Sequence, residues 1–267
     1  MVFLSPAPSK YTLSQIYSTG YHSHNRSPES HGMPGTIKSS VKSLLLLPYR
    51  LRFGREDGAF APLGQGRLLD IGCGTGDYLL AMSRRGWQCF GCDISEAALN
   101  AAHQKIPQAT FFPGSFEALD LQKGSFEAIT FWHTLEHLSN PLNTLRRARE
   151  LLVPGGRLVV AVPNIESMES RILGIRWAEI DLPGHLFFFS PSVLSGLLEK
   201  AGFTLSRIRP QVHPSTVSDS VGFLLDDLLN IERSRQHLWL YYLLFPFTVI
   251  SYILGNWGCI EVTAVKR

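Results

Sequence analysis

Residues 68–82 read LLDIGCGTGDYLLAM: an apolar run ends on Asp70, breaks into Gly72, Gly74 and Gly76, and passes into a helix-like stretch. Glycine stands where a backbone must turn tightly or where a ligand presses against the main chain. About twenty residues on, a second apolar run, QCFGCD (88–93), ends on Asp93, where a carboxylate can accept hydrogen bonds from both hydroxyls of a ribose. The two signals together predict a nucleoside-binding βαβ unit over 68–93. The spacing is G-x-G-x-G, not the G-x-G-x-x-G of dinucleotide folds.

Short apolar runs alternating with amphipathic stretches continue from Arg67 to Pro163, the pattern of a parallel sheet covered by helices. Strands are predicted at 67–72, 88–93, 109–113, 126–132, 157–163, 203–209 and 259–267. Helices are predicted at 76–86, 96–105, 141–152 and 191–201. Asn140-Pro141 opens the third of these, with Pro at the first helical position, and Pro154-Gly155-Gly156 reads as the turn that ends it.

A chain of 267 residues with 45% hydrophobic residues has ample material for a core, which excludes a wholly disordered or fibrous protein. The net charge of +3 is dispersed, so no nucleic-acid partner is expected. Cys73, Cys89, Cys92 and Cys259 are too few for a disulfide framework, and Cys89-x-x-Cys92 lies in a run that reads as a buried strand rather than a redox or zinc motif. The N-terminus lacks the pattern of a secretory signal, and a cytoplasmic location is expected.

Outside the sheet pattern, residues 1–63 read as an arm rich in Ser, Pro, Gly and His followed by a helix from Thr36, together a lid. The core spans 64–209, an insert 210–258, and the last core strand 259–267. The insert opens with an amphipathic pattern, VGFLLDDLLNIERSR. It continues into an apolar run at 238–257 without Asp, Glu, Lys or Arg. Three readings of that run stay open: a membrane span, a helix seated in the membrane interface, and a buried hairpin. A span would strand the last sheet residues on the far side of a membrane, and Pro246 interrupts it.

With these residues in view, the sequence resembles the class I S-adenosylmethionine-dependent methyltransferases, of the small-molecule, ubiquinone-biosynthesis-like type. The resemblance runs over 67–209 and rests on LLDIGCGTG, GCDIS, GSFEAL (114–119), FEAITFWHTLEHLSNP (126–141), ARELLVPGGRLVVAVPN (148–164) and DLPGHLFFFSPSVLSGLLEKAGF (181–203). It implies a doubly wound α/β fold, a seven-stranded Rossmann-like sheet with its last strand antiparallel, and S-adenosyl-L-methionine as cofactor. By the same resemblance Asp70, Gly72, Cys73, Gly74 and Gly76 line the methionine end and Asp93 holds the ribose. Ile94 packs on the adenine, Ser115 and Phe116 lie near its edge, and Trp132 and His133 sit beside the sulfonium. Many relatives carry Asp where Ser115 stands.

A hydroxyl acceptor is helped by a base near neutral pKa, for which histidine is the natural candidate. His137 and His185 are the expected catalytic residues, with His133 close by. His133-Thr134-Leu135-Glu136-His137 also matches the H-x-x-E-H pattern of zinc hydrolases, but it follows a strand and soon meets Asn140-Pro141, so no metal is expected. The expected function is methyl transfer to a small or lipid-like acceptor, with oxygen preferred and peripheral membrane contact through 238–257. The alternatives are a non-catalytic cofactor-binding module and a membrane-peripheral module.

Overall fold

The computed structural model describes residues 2–3, 65–211, 216–229 and 258–267, with isolated positions at 240, 243, 244, 246, 250 and 255. The lid read over 1–63, apart from Val2 and Phe3, and most of the apolar run at 238–257 lie outside the described residues. Among the described residues no helix is long and apolar enough to cross a membrane.

The strands are β1 (Arg67–Ile71), β2 (Gln88–Asp93), β3 (Thr110–Pro113), β4 (Phe126–Trp132), β5 (Leu152–Pro163), β6 (Phe203–Gln211) and β7 (Cys259–Lys266). They form one seven-stranded sheet in the order β3-β2-β1-β4-β5-β7-β6. The first five pair in parallel, and β7 runs antiparallel to both neighbours. The order reverses between β1 and β4, which opens a crevice beyond their carboxyl ends. A separate two-residue ribbon pairs Val2 with Phe188 and Phe3 with Phe187.

Helices α1 (Asp77–Ser83), α2 (Glu96–Lys105), α3 (Pro141–Leu151), α4 (Met168–Leu173), α5 (Pro191–Lys200) and α6 (Thr216–Leu229) accompany the sheet. Their starts are written in the sequence. Ser95, Asn140, Ser167 and Ser190 each accept a hydrogen bond from the amide three residues on, and Pro141 and Pro191 supply helical φ without needing a partner. The pleat sends Leu68 to one apolar cluster, with Leu79, Met82 and Val159, and Leu69 to the other, with Phe131, Leu158 and Val160.

One turn differs from expectation. Pro154-Gly155-Gly156 does not separate helix from strand: β5 already pairs at Leu152, opposite Phe126, and resumes at Arg157 opposite Ala128. The intervening residues bulge out of the ladder, with Gly155 at φ 78°. Helix α6 also begins earlier than its apolar pattern, at Thr216.

Candidate active site

The crevice is built first from the loop after β1. Gly72 and Cys73 both donate their amides to the Cys92 carbonyl, at 2.8 and 3.1 Å, tying the loop to the end of β2. Gly72 has φ 73°, and a Cβ there would lie 2.4 Å from Thr134 Oγ1. Only glycine fits. Gly74 and Gly76 also have positive φ, and Gly76 opens α1.

Asp93 closes this loop from the other side. Its Oδ2 accepts from the Gly74 amide and its Oδ1 from the Ser95 amide, both at 2.9 Å. A carboxylate has about four lone-pair sites, so two remain for a ligand's hydroxyls. The next residue, Ile94, is 51% exposed although large and apolar. Ser115 is exposed, whereas the Phe116 side chain turns into the core edge-on to Phe131 and under Arg147. Only the backbone of Phe116 is left to face a ligand.

Asp70, beneath the loop, is buried and accepts from Thr130 Oγ1 at 2.6 Å. Burial pushes its carboxyl up to about 7; the Thr130 hydroxyl opposes this and the Asp93 charge adds to it. Tyr78 packs on Trp132 with ring centroids 4.9 Å apart, and the Tyr78 hydroxyl and Trp132 indole N–H are buried without a well-formed hydrogen bond. Burial raises all three thiols near the loop: Cys89 to about 11, Cys92 to about 12 and Cys73 further still. The four cysteines are buried and unbridged, and Cys89 and Cys92 lie within β2.

A second cluster stands past the end of β4. His133 has φ 50°, off the helical path, so His133 and His137 are not stacked one helical turn apart as zinc hydrolases require. His133 Nε2 lies 3.0 Å from Gln211 Oε1, and Nδ1 is 3.6 Å from Glu136 Oε1. Leu135–His137 forms a single 3₁₀ turn that carries Glu136 inward, where it is 1% exposed. Across the crevice the 174–186 segment brings His185 to His137, with ring centroids 4.6 Å apart.

Both rings are fixed by carbonyls. His137 Nδ1 is 2.9 Å from the Gly184 carbonyl and His185 Nδ1 is 2.8 Å from that of Glu179. A carbonyl oxygen only accepts, so in both contacts Nδ1 is the donor and carries a proton. Burial, reinforced by His185, pushes His137 down to about 4 against the opposing pull of Glu136. For Glu136 burial acts upward, but His133, His137 and His185 outweigh it and hold the carboxyl below its ordinary value.

Beyond this cluster stand two carboxyls that sequence reasoning missed, Glu169 and Glu179, both buried. Burial pushes Glu169 up to about 7, and the neighbouring Glu179 adds to the shift. Nothing in the local pattern MESRILGIRWAEI marks them as interior. Glu169 lies on α4, and Glu179 on the short turn Ala178–Ile180 that packs against α6.

Over residues 43–207 the sequence matches the family described as "Methyltransferase domain". The chain belongs to the methyltransferase-domain family. Curated relatives of this methyltransferase include the ubiquinone biosynthesis O-methyltransferases of Ruegeria pomeroyi, 32% identical over 160 residues (56% of this chain, 64% of that protein), and of a Caulobacter species, 35% identical over 119 residues (42% and 47%). The matched stretch is thus under two thirds of either relative's length. Among solved structures, the [4+2]-cyclase SpnF superposes with a TM-score of 0.61 at 20% identity, covering 98% of this chain and 97% of its own. A Thermotoga maritima S-adenosylmethionine-dependent methyltransferase, a possible histamine N-methyltransferase, gives 0.55 at 20% identity (86% and 97%). These likenesses show the sheet and its strand order to be those of the S-adenosylmethionine-dependent fold. The residues fit that cofactor: a loop where a side chain at Gly72 has no room, a carboxylate at Asp93 with acceptor capacity to spare, and an exposed apolar Ile94 beside it.

Proposed function

We propose that this methyltransferase transfers the methyl group of S-adenosylmethionine to a hydroxyl of a small, lipid-like acceptor. The observation that carries the hydroxyl is the pair His137 and His185, two imidazoles brought together at 4.6 Å between ring centroids and each held through Nδ1 by a backbone carbonyl. The cofactor supplies an activated methyl on sulfur. Everything else falls to the chain. Asp93 holds the ribose hydroxyls through its remaining lone pairs, and Ile94 covers one adenine face beside Ser115 and the Phe116 backbone. Asp70, Gly72, Cys73, Gly74 and Gly76 surround the amino-acid end, with Trp132 and His133 next to the sulfonium. His137 or His185 would take the acceptor's hydroxyl proton, and the bound cofactor would supply the methyl group.

Two observations support a lipid-like acceptor. The relatives named above act in ubiquinone biosynthesis by name. Ile172, Ile175 and Leu182, and Leu228 and Leu229 on α6, are also exposed, apolar side chains suited to peripheral membrane contact. Calorimetric titration of S-adenosylmethionine and its demethylated product, with and without liposomes, tests the reading. Micromolar binding followed by methylation of phenolic or lipid-linked hydroxyls supports it; turnover of amine or thiol acceptors alone overturns the hydroxyl assignment.

A further inference from the structure

We infer that Arg147 is a positioning residue: it fixes the turn after β3 so that the backbone of Phe116 reads the base of the bound cofactor. This rests on the S-adenosylmethionine reading just given and adds a residue that the reading does not contain.

Arg147 stands on α3 and reaches the segment that follows β3. Its Nε donates to the Phe116 carbonyl at 3.2 Å and its Nη2 to the Leu119 carbonyl. The guanidinium carbon also lies 5.3 Å from the centre of the Phe116 ring. A guanidinium presents these two N–H groups side by side in one rigid plane, so the two carbonyls are held at a set separation. They flank the 3₁₀ turn Phe116–Ala118, which the Leu119 amide closes onto the Phe116 carbonyl at 3.4 Å. Thr144, three residues before Arg147 on α3, steadies the same turn, with its Oγ1 2.8 Å from Glu117 Oε1.

The near end of the segment is tied to the ribose side. The Gly114 amide donates to the Asp93 carbonyl at 2.9 Å, and Asp93 is the residue read as holding the ribose. Ser115 and Phe116 thus lie between two anchors, Asp93 and Arg147. Together these set where the Phe116 peptide stands relative to the sugar.

What the turn can read follows from its groups. The Phe116 ring is turned into the core and 3% exposed, which leaves its amide and the hydroxyl of exposed Ser115. That hydroxyl caps no amide of the turn. A hydroxyl both donates and accepts, so it suits the amino group of adenine and the ring carbonyl of hypoxanthine alike. An amide N–H only donates. It suits the bare N1 of adenine and opposes the N1–H of hypoxanthine. Selectivity for the base therefore rests on one N–H held still, and the Arg147 fork holds it. The packing of α3 is carried by other residues: Leu145, Ala148 and Leu151 are buried, whereas Arg147 is half-buried. Its donors can be removed with the helix left in place.

The experiment titrates the full chain, as wild type, Arg147→Met and Arg147→Lys, by calorimetry. The probes are the demethylated cofactor, S-adenosylhomocysteine, and its hypoxanthine counterpart, S-inosylhomocysteine. Methionine keeps an apolar stem over the Phe116 ring and lysine keeps the charge, but neither has the fork. Wild type should prefer the adenine compound by about 30-fold or more, the scale of one donor left facing another. In both variants the adenine compound should bind about tenfold more weakly while the hypoxanthine compound stays near its wild-type affinity, so the preference collapses to about threefold. Circular dichroism checks that each variant is folded, and the milder Arg147→Lys carries the comparison if Arg147→Met does not fold. Equal weakening of both compounds, which leaves the preference unchanged, marks Arg147 as structural and overturns the inference. So does a full wild-type preference in Arg147→Lys. Wild type that binds both compounds equally well also overturns it, with the cofactor site left standing. Wild type that binds neither overturns the cofactor reading and this inference with it.

Discussion

Thr134 fills the space that any side chain on Gly72 would need: a Cβ there would come within 2.4 Å of Thr134 Oγ1 and 2.6 Å of its Cγ2. The loop after β1 and the turn after β4 are thereby fitted to each other across the crevice. Gly72→Ala should abolish binding of the demethylated cofactor and lower stability by about 2 kcal/mol or more, from the clash and the positive φ. Thr134→Ala in the same chain removes the clashing atoms but not the φ, so it should recover part of the loss. A double-mutant cycle on thermal stability reads the coupling directly.

Asp93 has two tasks, holding the loop amides of Gly74 and Ser95 and offering its spare lone pairs outward. Asp93→Ala should weaken nucleoside binding by about 100-fold or more, since hydrogen bonds to a charged acceptor are among the strong ones. Calorimetry with the demethylated cofactor checks this. An affinity within threefold of wild type would rule out Asp93 as the ribose ligand.

Asp70 gives a pH dependence with a defined sign. Burial raises its folded-state pKa to about 7, above its ordinary 3.8. Between those values the folded state binds more protons than the unfolded one, so this group's contribution to stability declines as pH rises from about 4 through 7. Asp70→Asn should therefore raise the melting temperature more at pH 8 than at pH 5, while still accepting from Thr130. A bound methionine ammonium favours the ionised form, so in wild type cofactor affinity should fall as pH drops below about 7, with proton release on binding. Differential scanning fluorimetry and calorimetry in buffers of different ionisation enthalpy measure both effects.

Cys73, Cys89, Cys92 and Cys259 are all buried, and the first three have their thiols raised by burial. A thiol reagent at pH 8 should leave the native protein unmodified over minutes and titrate all four after denaturation. Rapid reaction of the native chain at Cys89 or Cys92 would contradict the buried placement.

The buried pair Arg209 and Glu261 joins β6 to β7 by two contacts of 2.7 Å. Arg209→Met should destabilise by about 3 kcal/mol or more, because a carboxylate is left buried alone. Chemical denaturation measures it.

The sheet was legible because its signals are local: alternating apolar runs, the helix start at Asn140-Pro141, and glycines where β1 turns. The β5 bulge was not, since Pro154-Gly155-Gly156 has the composition of a turn and only pairing with Phe126 shows that the ladder continues around it. The loop after β1 and Asp93 lie within one βαβ unit and could be read in order along the chain. The histidine cluster past β4 could not. His137 and His185 were candidates singly, but their contact exists only because a segment nearly fifty residues away folds over the turn that carries His137. Phe116 shows the opposite limit: its position was legible, but the direction of its side chain, into the core against Phe131, is set by tertiary packing.

Strand β7 sits between β5 and β6, fully paired on both sides, so the chain from 212 to 258 leaves the sheet and re-enters it at fixed registers. The donor loop is anchored elsewhere, on β1, β2 and β4. Loop closure cost grows only slowly with length, so a longer or shorter connection between these two strands should leave their pairing, and the loop after β1, in place.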